Sequence, residues 1–188
     1  AGPVGGERIS LTNSSWSFTR EAMRAVTATD DITFINDYEA LAHALPTLSE
    51  NDCRRIGGEP STKLATKVVV GPGTGLGVAG LTWSRAGWCA IAGEGGHSSF
   101  AAADPEEFMI LQRMHTDFGH VSAEMLISGP GLANAYRILA ELQGKRALKC
   151  TTPEIVERAL NRIDPVAVKV VELFAGWLGR FAGDAALF

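Results

Sequence analysis

The 188-residue chain has no concentrated run of lysine and arginine, and its formal net charge is −4. It therefore lacks the cationic stripe with which nucleic-acid binders neutralise phosphates, and no nucleic-acid partner is expected. Cysteine is scarce. Cys53, Cys89 and Cys150 stand alone, without the spacing of a metal pair or a redox pair. They read as buried or incidental thiols of a reducing, cytoplasmic compartment. No basic-then-apolar leader opens the chain. Long uncharged apolar runs are missing too: the richest tract, residues 166–188, is interrupted by Lys169, Glu172, Arg180 and Asp184, which argues against a membrane span. Neither a Ser/His/Asp order, nor zinc-finger spacing, nor a dinucleotide fingerprint with its acidic partner is found.

What is present is core-forming material. Hydrophobic residues make up 46% and charged residues 20%, enough for one domain, or one domain with part of another. Residues 7–11 read as a strand after the Gly5-Gly6 turn, and residues 12–16 as a polar loop. Thr19 caps a helix whose face is Ala22, Met23 and Val26. A short strand over 32–35 runs into Asn36-Asp37 and a helix over 38–45, stopped by Pro46. Residues 47–66 are polar and irregular and mark a domain boundary. Strands are expected at 67–70, 78–83 and 88–92, joined by Gly71-Pro72-Gly73-Thr74-Gly75-Leu76-Gly77 and followed by Gly93-Glu94-Gly95-Gly96-His97. Asp104-Pro105-Glu106-Glu107 predicts a helix start with Asp104 as cap and Glu107 closing a capping box. That helix carries Phe108, Leu111, Met114, His115 and Phe118 on one face and ends at Gly119. A short helix over 122–126 and a tight loop, Ser128-Gly129-Pro130-Gly131, precede a helix over 132–142. Thr152-Pro153 and Asp164-Pro165 start two more, the last with Val170, Phe174, Trp177, Leu178 and Phe181 on its apolar face.

Three places could carry chemistry, and each has a plainer reading beside it. The Gly71–Gly77 stretch could expose successive N–H groups to an anion, with the Thr74 hydroxyl as a further donor. It lacks the Gly-Lys-Ser/Thr ending of a P-loop and joins strand to strand, so a ligand-free glycine hairpin is equally compatible. Glu94 and His97, flanked by glycines, could hydrogen-bond vicinal hydroxyls, Glu as acceptor and His as donor or acceptor. They could also be solvated loop side chains. Asp37 stands at the carboxyl end of a strand before a helix, where open α/β sheets place ligands, but an Asp there can equally cap the helix. Glu124 could be a surface charge. His43, His115 and His120 have no partner spacing. From the residues alone the chain is an α/β protein with a polar, phosphate-handling site.

Taken in order, Thr12-Asn13 with Trp16, Ile35-Asn36-Asp37, Gly73-Thr74-Gly75-Leu76-Gly77, Gly93-Glu94-Gly95-Gly96-His97, His120-Val121-Ser122-Ala123-Glu124 with Ser128-Gly129-Pro130-Gly131, and Gly179-Arg180-Phe181 resemble the bacterial glucokinases that lack a zinc-binding cysteine cluster. The resemblance covers almost the whole chain. It implies the actin-like ATPase (sugar kinase) fold, a small and a large α/β domain flanking a cleft for glucose and ATP, present here in part. Residues 1–47 would be the second part of the small α/β domain and residues 48–188 a truncated large α+β domain. It implies Asp37 as the base that takes the proton of the sugar 6-hydroxyl. Asn36, Glu94, His97 and Glu124 would hydrogen-bond the other hydroxyls, and Gly73, Thr74 and Gly75 would face ATP. Magnesium would bridge the nucleotide phosphates, with no metal-ligating residue of the chain implied.

The family also has an opening strand with an Asp-Val-Gly-Gly-Thr-Asn phosphate loop and a later Gly-Gly segment that contacts adenosine. Neither is in this sequence, so the chain reads as an internal piece of a longer cytoplasmic protein, inactive by itself and a homodimer when full length. A non-catalytic sugar sensor and a kinase for another hexose are the alternatives on the same fold.

Overall fold

The computed structural model describes residues 6–10, 15–58 and 62–187. The expected strand tail at the start, Gly5, Leu11, Thr12-Asn13, Pro60 and Phe188 lie outside the described residues. Two compact units form: Ala1–Val69 with Ala79–Ala92, and Val70–Val78 with Gly93–Phe188. Among the described residues no helix is long and apolar enough to cross a membrane.

The first unit opens with β1 (Arg8–Ser10) antiparallel to β2 (Ser17–Thr19), Ile9 opposite Phe18. Thr19 then caps α1 (Arg20–Thr27), its hydroxyl accepting from Ala22 N. The expected apolar face of α1 is not buried: Val26 is 81% exposed and Met23 alone is partly covered. Residues 32–35 do not form the predicted strand. A strand needs a ladder partner, and among the described residues this segment has none. It is held by side chains instead. The Phe34 ring lies 5.7 Å from Phe18 and 5.0 Å beneath the Arg20 guanidinium.

α2 follows (Asp37–Ala44), passing at Pro46 into a 3-10 turn (Leu45–Thr47). A three-stranded sheet has the order β3 (Lys67–Pro72), β4 (Leu76–Ser84), β5 (Gly87–Ala92), with β4 antiparallel to β5. In this unit α2 packs on β5 over a small core of Ala42, Ala79 and Leu81, lined by Tyr38, Val69, Trp88 and Ala90.

The second unit holds most of the buried apolar surface. Its helices are α3 (Pro105–Phe118), α4 (Gly129–Leu142), α5 (Thr152–Leu160) and α6 (Pro165–Ala185). Ile110, Met114, Leu126, Ile127, Ile138, Leu139, Ile155, Val170 and Trp177 are almost wholly shielded from solvent. Each such side chain contributes about 1.5–3 kcal/mol relative to exposure.

Several sequence readings change here. The buried face of α3 is Glu107, Ile110 and Met114, whereas Phe108 and Phe118 are 60% and 47% exposed. Apolar residues occur on both sides of α3, so periodicity could not choose between them. Glu107 does not close a capping box. Asp104 caps the helix through Glu107 N, while the Glu107 carboxylate accepts from Ala103 N, Trp177 Nε1 and Arg180 Nη2 at 2.7–3.0 Å. Residues 122–126 form a turn rather than a helix.

Gly129-Pro130-Gly131 is the first turn of α4, not a loop before it, with Ser128 as its cap through Gly131 N. A Cβ on Gly131 would stand 2.7 Å from the Leu126 and Met125 carbonyl oxygens, so glycine permits that approach. The cap of α5 is Thr151, boxed with Glu154, and Thr152 instead donates to the Gly129 carbonyl. Asp164 caps α6 as predicted, accepting from Val166 N and Ala167 N.

Candidate functional site

At the start of α2, Asn36 and not Asp37 is the cap. Asn36 Oδ1 accepts from Tyr38 N at 2.8 Å, and Glu39 Oε2 reaches back to Asn36 N at 3.2 Å, completing a capping box. That use of Oδ1 identifies it as the oxygen and leaves the Asn36 NH2 as a donor for a ligand. Asp37 is the first helical residue and is exposed. One of its oxygens lies 3.0 Å from Tyr38 N.

In the second unit, residues 96–100 and 121–124 run side by side. Glu124 N donates to Gly96 O, Ala123 N to Ser98 O, and Phe100 N to Val121 O, each at 2.9–3.2 Å. Ser99 and Ser122 face one another in an isolated antiparallel bridge. This short ladder fixes the side chains that alternate along it. His97 Nε2 comes to 3.5 Å from Glu124 Oε1, with the His97 side chain 61% and the Glu124 side chain 34% exposed, so both remain accessible to a ligand. Gly95–His97 forms a 3-10 turn capped by Glu94, whose carbonyl accepts from His97 N. Glu94 is exposed. His120, which had no partner by spacing, pairs with Ser99: its Nε2 lies 2.9 Å from Ser99 Oγ.

The Gly73-Thr74-Gly75 turn joins β3 to β4. Gly73 N donates to Gly75 O, and Gly129 N donates to Gly73 O, which ties the turn to the N-terminus of α4. Thr74 is exposed, and nothing lies within 4 Å of a Cβ built on Gly73. An anion could therefore approach the backbone closely, with the Thr74 hydroxyl beside it. These residues fit a nucleotide phosphate. For a metal the fit is different: among the described residues no cluster of three His, Cys, Asp or Glu side chains could hold an ion. A divalent cation carried by phosphates needs few protein ligands. Cys53 and Cys89 are exposed and Cys150 half-buried, all as free thiols, so the first two are the incidental and not the buried kind of the two that were expected.

The whole chain, residues 1–188, matches the family model described as Glucokinase. The chain belongs to the glucokinase family. It is 41% identical over 187 residues to the glucokinase of Neisseria meningitidis, covering all of this chain and 57% of that protein. Against the glucokinase of Nitrobacter hamburgensis it is 42% identical, covering 58% of it. The crystal structure of a glucokinase from an Antarctic psychrotroph superposes on the full chain with TM-score 0.88 at 32% identity, covering 58% of that structure. The fold is therefore the actin-like sugar kinase fold, and the chain spans a little over half the length of the relatives it matches. None of these relatives favours the sugar-sensor alternative.

Within this glucokinase-family chain, the structure brings His97 and Glu124 together and places Glu94 at the start of the same turn. Two features of the site escaped the sequence. Leu76 N donates to Glu124 Oε2 at 2.9 Å, a backbone group that no side-chain pattern announces. Gly75, expected from the resemblance only to face ATP, lies against that same carboxylate.

Proposed function

We propose that the full-length protein transfers the γ-phosphoryl group of ATP to the 6-hydroxyl of glucose. The observation that carries this reading is the His97–Glu124 pair, solvent-accessible yet fixed by the 96–100/121–124 ladder, in a chain that matches the glucokinase family along its length. Asp37 takes the proton of the attacking hydroxyl and must approach it to about 2.6–3.2 Å to do so. Asn36 donates its amide hydrogens, Glu94 and Glu124 accept, and His97 donates or accepts, so the sugar hydroxyls meet groups of matching polarity. A sugar lacking one of these hydroxyls leaves a partner unsatisfied, at about 1–3 kcal/mol. Gly73, Thr74 and Gly75 receive the nucleotide phosphates; ATP, with Mg2+ bridging its phosphates, supplies the group that is transferred. The residues of this chain orient the hydroxyl and hold its proton, which is what in-line phosphoryl transfer asks of the sugar side.

Residues 1–47 serve as the second part of the small domain and residues 48–188 as part of the large one, in a cytoplasmic homodimer. The test is Asp37→Ala in the full-length protein, followed by coupled assay and calorimetry. Turnover falls by about 10²–10⁴-fold, while glucose still binds. Unchanged turnover would remove Asp37 from the base role.

A further inference from the structure

The peptide of Leu76 is a junction between the turn assigned to nucleotide and the loops assigned to sugar. Its N–H donates to Glu124 Oε2 at 2.9 Å. On its other side Gly96 packs so closely that a Cβ there would run into Leu76 O and stand 3.0 Å from Leu76 Cβ. The Leu76 side chain is buried in the core of the second unit, so the junction does not drift. The remaining oxygen of Glu124 is the one 3.5 Å from His97 Nε2.

Glu124 can hold this position only because residue 75 has no side chain. A Cβ on Gly75 would strike Oε2 and stand 3.1 Å from the carboxyl carbon. Fixing Oε2 on the Leu76 N–H also fixes the direction of Oε1, and it removes rotamer freedom that a ligand would otherwise have to remove. We propose that Gly75 is a positioning residue for sugar recognition: although it lies in the turn assigned to ATP, it and the Leu76 N–H aim the Glu124 carboxylate at the sugar. The inference rests on the proposed function, in which Glu124 is a sugar ligand. It makes the two ligands coupled through one peptide, and such coupling acts equally in both directions.

The substitution that tests this is mild for the fold. The atoms that an alanine at 75 meets are the far end of a flexible side chain, which can swing aside, whereas at Gly96 they are backbone. In the full-length protein, glucose binding without nucleotide is measured by calorimetry for wild type, Gly75→Ala, Glu124→Ala and the double variant. Gly75→Ala is expected to bind glucose about tenfold or more weakly, as for loss of a hydrogen bond to a charged group. The double variant is expected to bind no more weakly than Glu124→Ala alone.

Wild-type affinity in Gly75→Ala would overturn the inference, and so would losses that add in the double variant. Absence of glucose binding in the wild type would instead overturn the proposed function itself. Should Gly75→Ala fail to fold, hydrogen exchange at the Leu76 amide replaces it. Protection is expected to rise when glucose is added to the wild type and to drop in Glu124→Ala. A Leu76 amide indifferent to both would overturn the inference.

Discussion

The residues proposed to face the sugar in the second unit and the proposed base in the first are held by different means. Around His97 and Glu124 the backbone is cross-tied three times between 96–100 and 121–124, and the tie continues through Leu76 into a core with many fully buried side chains. Asp37 stands at the start of an eight-residue helix whose only buried residue is Ala42, after a segment without a ladder partner among the described residues. An eight-residue helix has little stability of its own. Its order rests on the Asn36–Glu39 capping box and on packing over Ala42, Ala79 and Leu81. The difference teaches where precision is built in. The groups proposed to recognise hydroxyls sit on a rigid frame, while the proposed base sits on an element that local interactions hold and that can open at low cost.

The contrast can be broken most sharply at Glu107. Its buried carboxylate gathers Ala103 N, Trp177 Nε1 and Arg180 Nη2, and Arg180 also lies 5.2 Å over the Phe100 ring. Glu107→Ala leaves those donors unpaired and is expected to destabilise the full-length protein by about 3 kcal/mol, the lower end for a broken buried pair because Arg180 is partly exposed. Urea unfolding measures it. A loss below that of the Asn36 variant described below would mean that the second unit is not the more tightly held.

A smaller effect, tunable by pH, is expected at Tyr136 and Asp164. The Tyr136 hydroxyl donates to Asp164 Oδ2 at 2.7 Å. Burial, and then the bond to Asp164, push the Tyr136 hydroxyl up to about 12. Burial also pushes the Asp164 carboxyl upward, but the Tyr136 hydroxyl, the N–H groups of Ala167 and Val166, and Arg158 together hold it below the usual range. The raised Tyr136 stabilises the fold fully below its unfolded value of about 10 and loses that contribution as pH rises toward its folded value. The lowered Asp164 stabilises it above about pH 4 and loses that contribution as pH falls through its folded value. Tyr136→Phe is therefore expected to cost about 1–2 kcal/mol at neutral pH and to flatten the alkaline limb of a stability–pH curve. An alkaline limb identical to wild type would remove the pair from the account.

The smallest effect is expected at Asn36. Asn36→Ala removes the cap of α2 and should cost about 1 kcal/mol. The loss should appear as faster hydrogen exchange confined to α2, read by mass spectrometry. Spread of that loss into α4 would show that the two units respond together and would dissolve the comparison.

The helix starts were legible because capping is local chemistry. Thr19, Asp104 and Asp164 each place a side-chain oxygen on an N–H two or three residues on, as their sequence settings predict. The glycine motifs were legible as turns for the same reason. Less local features were misread. The segment 32–35 has strand-like residues but needs a partner to become a strand. Glu107 has the spacing of a capping box but finds Trp177 and Arg180, more than seventy positions away for the latter, counted 73 along the chain. The exposed side of α3 could not be chosen while both sides were apolar.

By itself, then, the sequence determined the order of the motifs, the family they resemble, the caps at Thr19, Asp104 and Asp164, and the residue types proposed to meet a sugar and a phosphate. Only the tertiary structure decided which oxygen of Glu124 is committed to Leu76 and which faces His97, and why residue 75 must be small. The physical reason is reach. Caps and turns are settled within a few residues by hydrogen bonds the chain makes to itself. The aim of a carboxylate is settled by a backbone N–H 48 positions away, which no local pattern can encode.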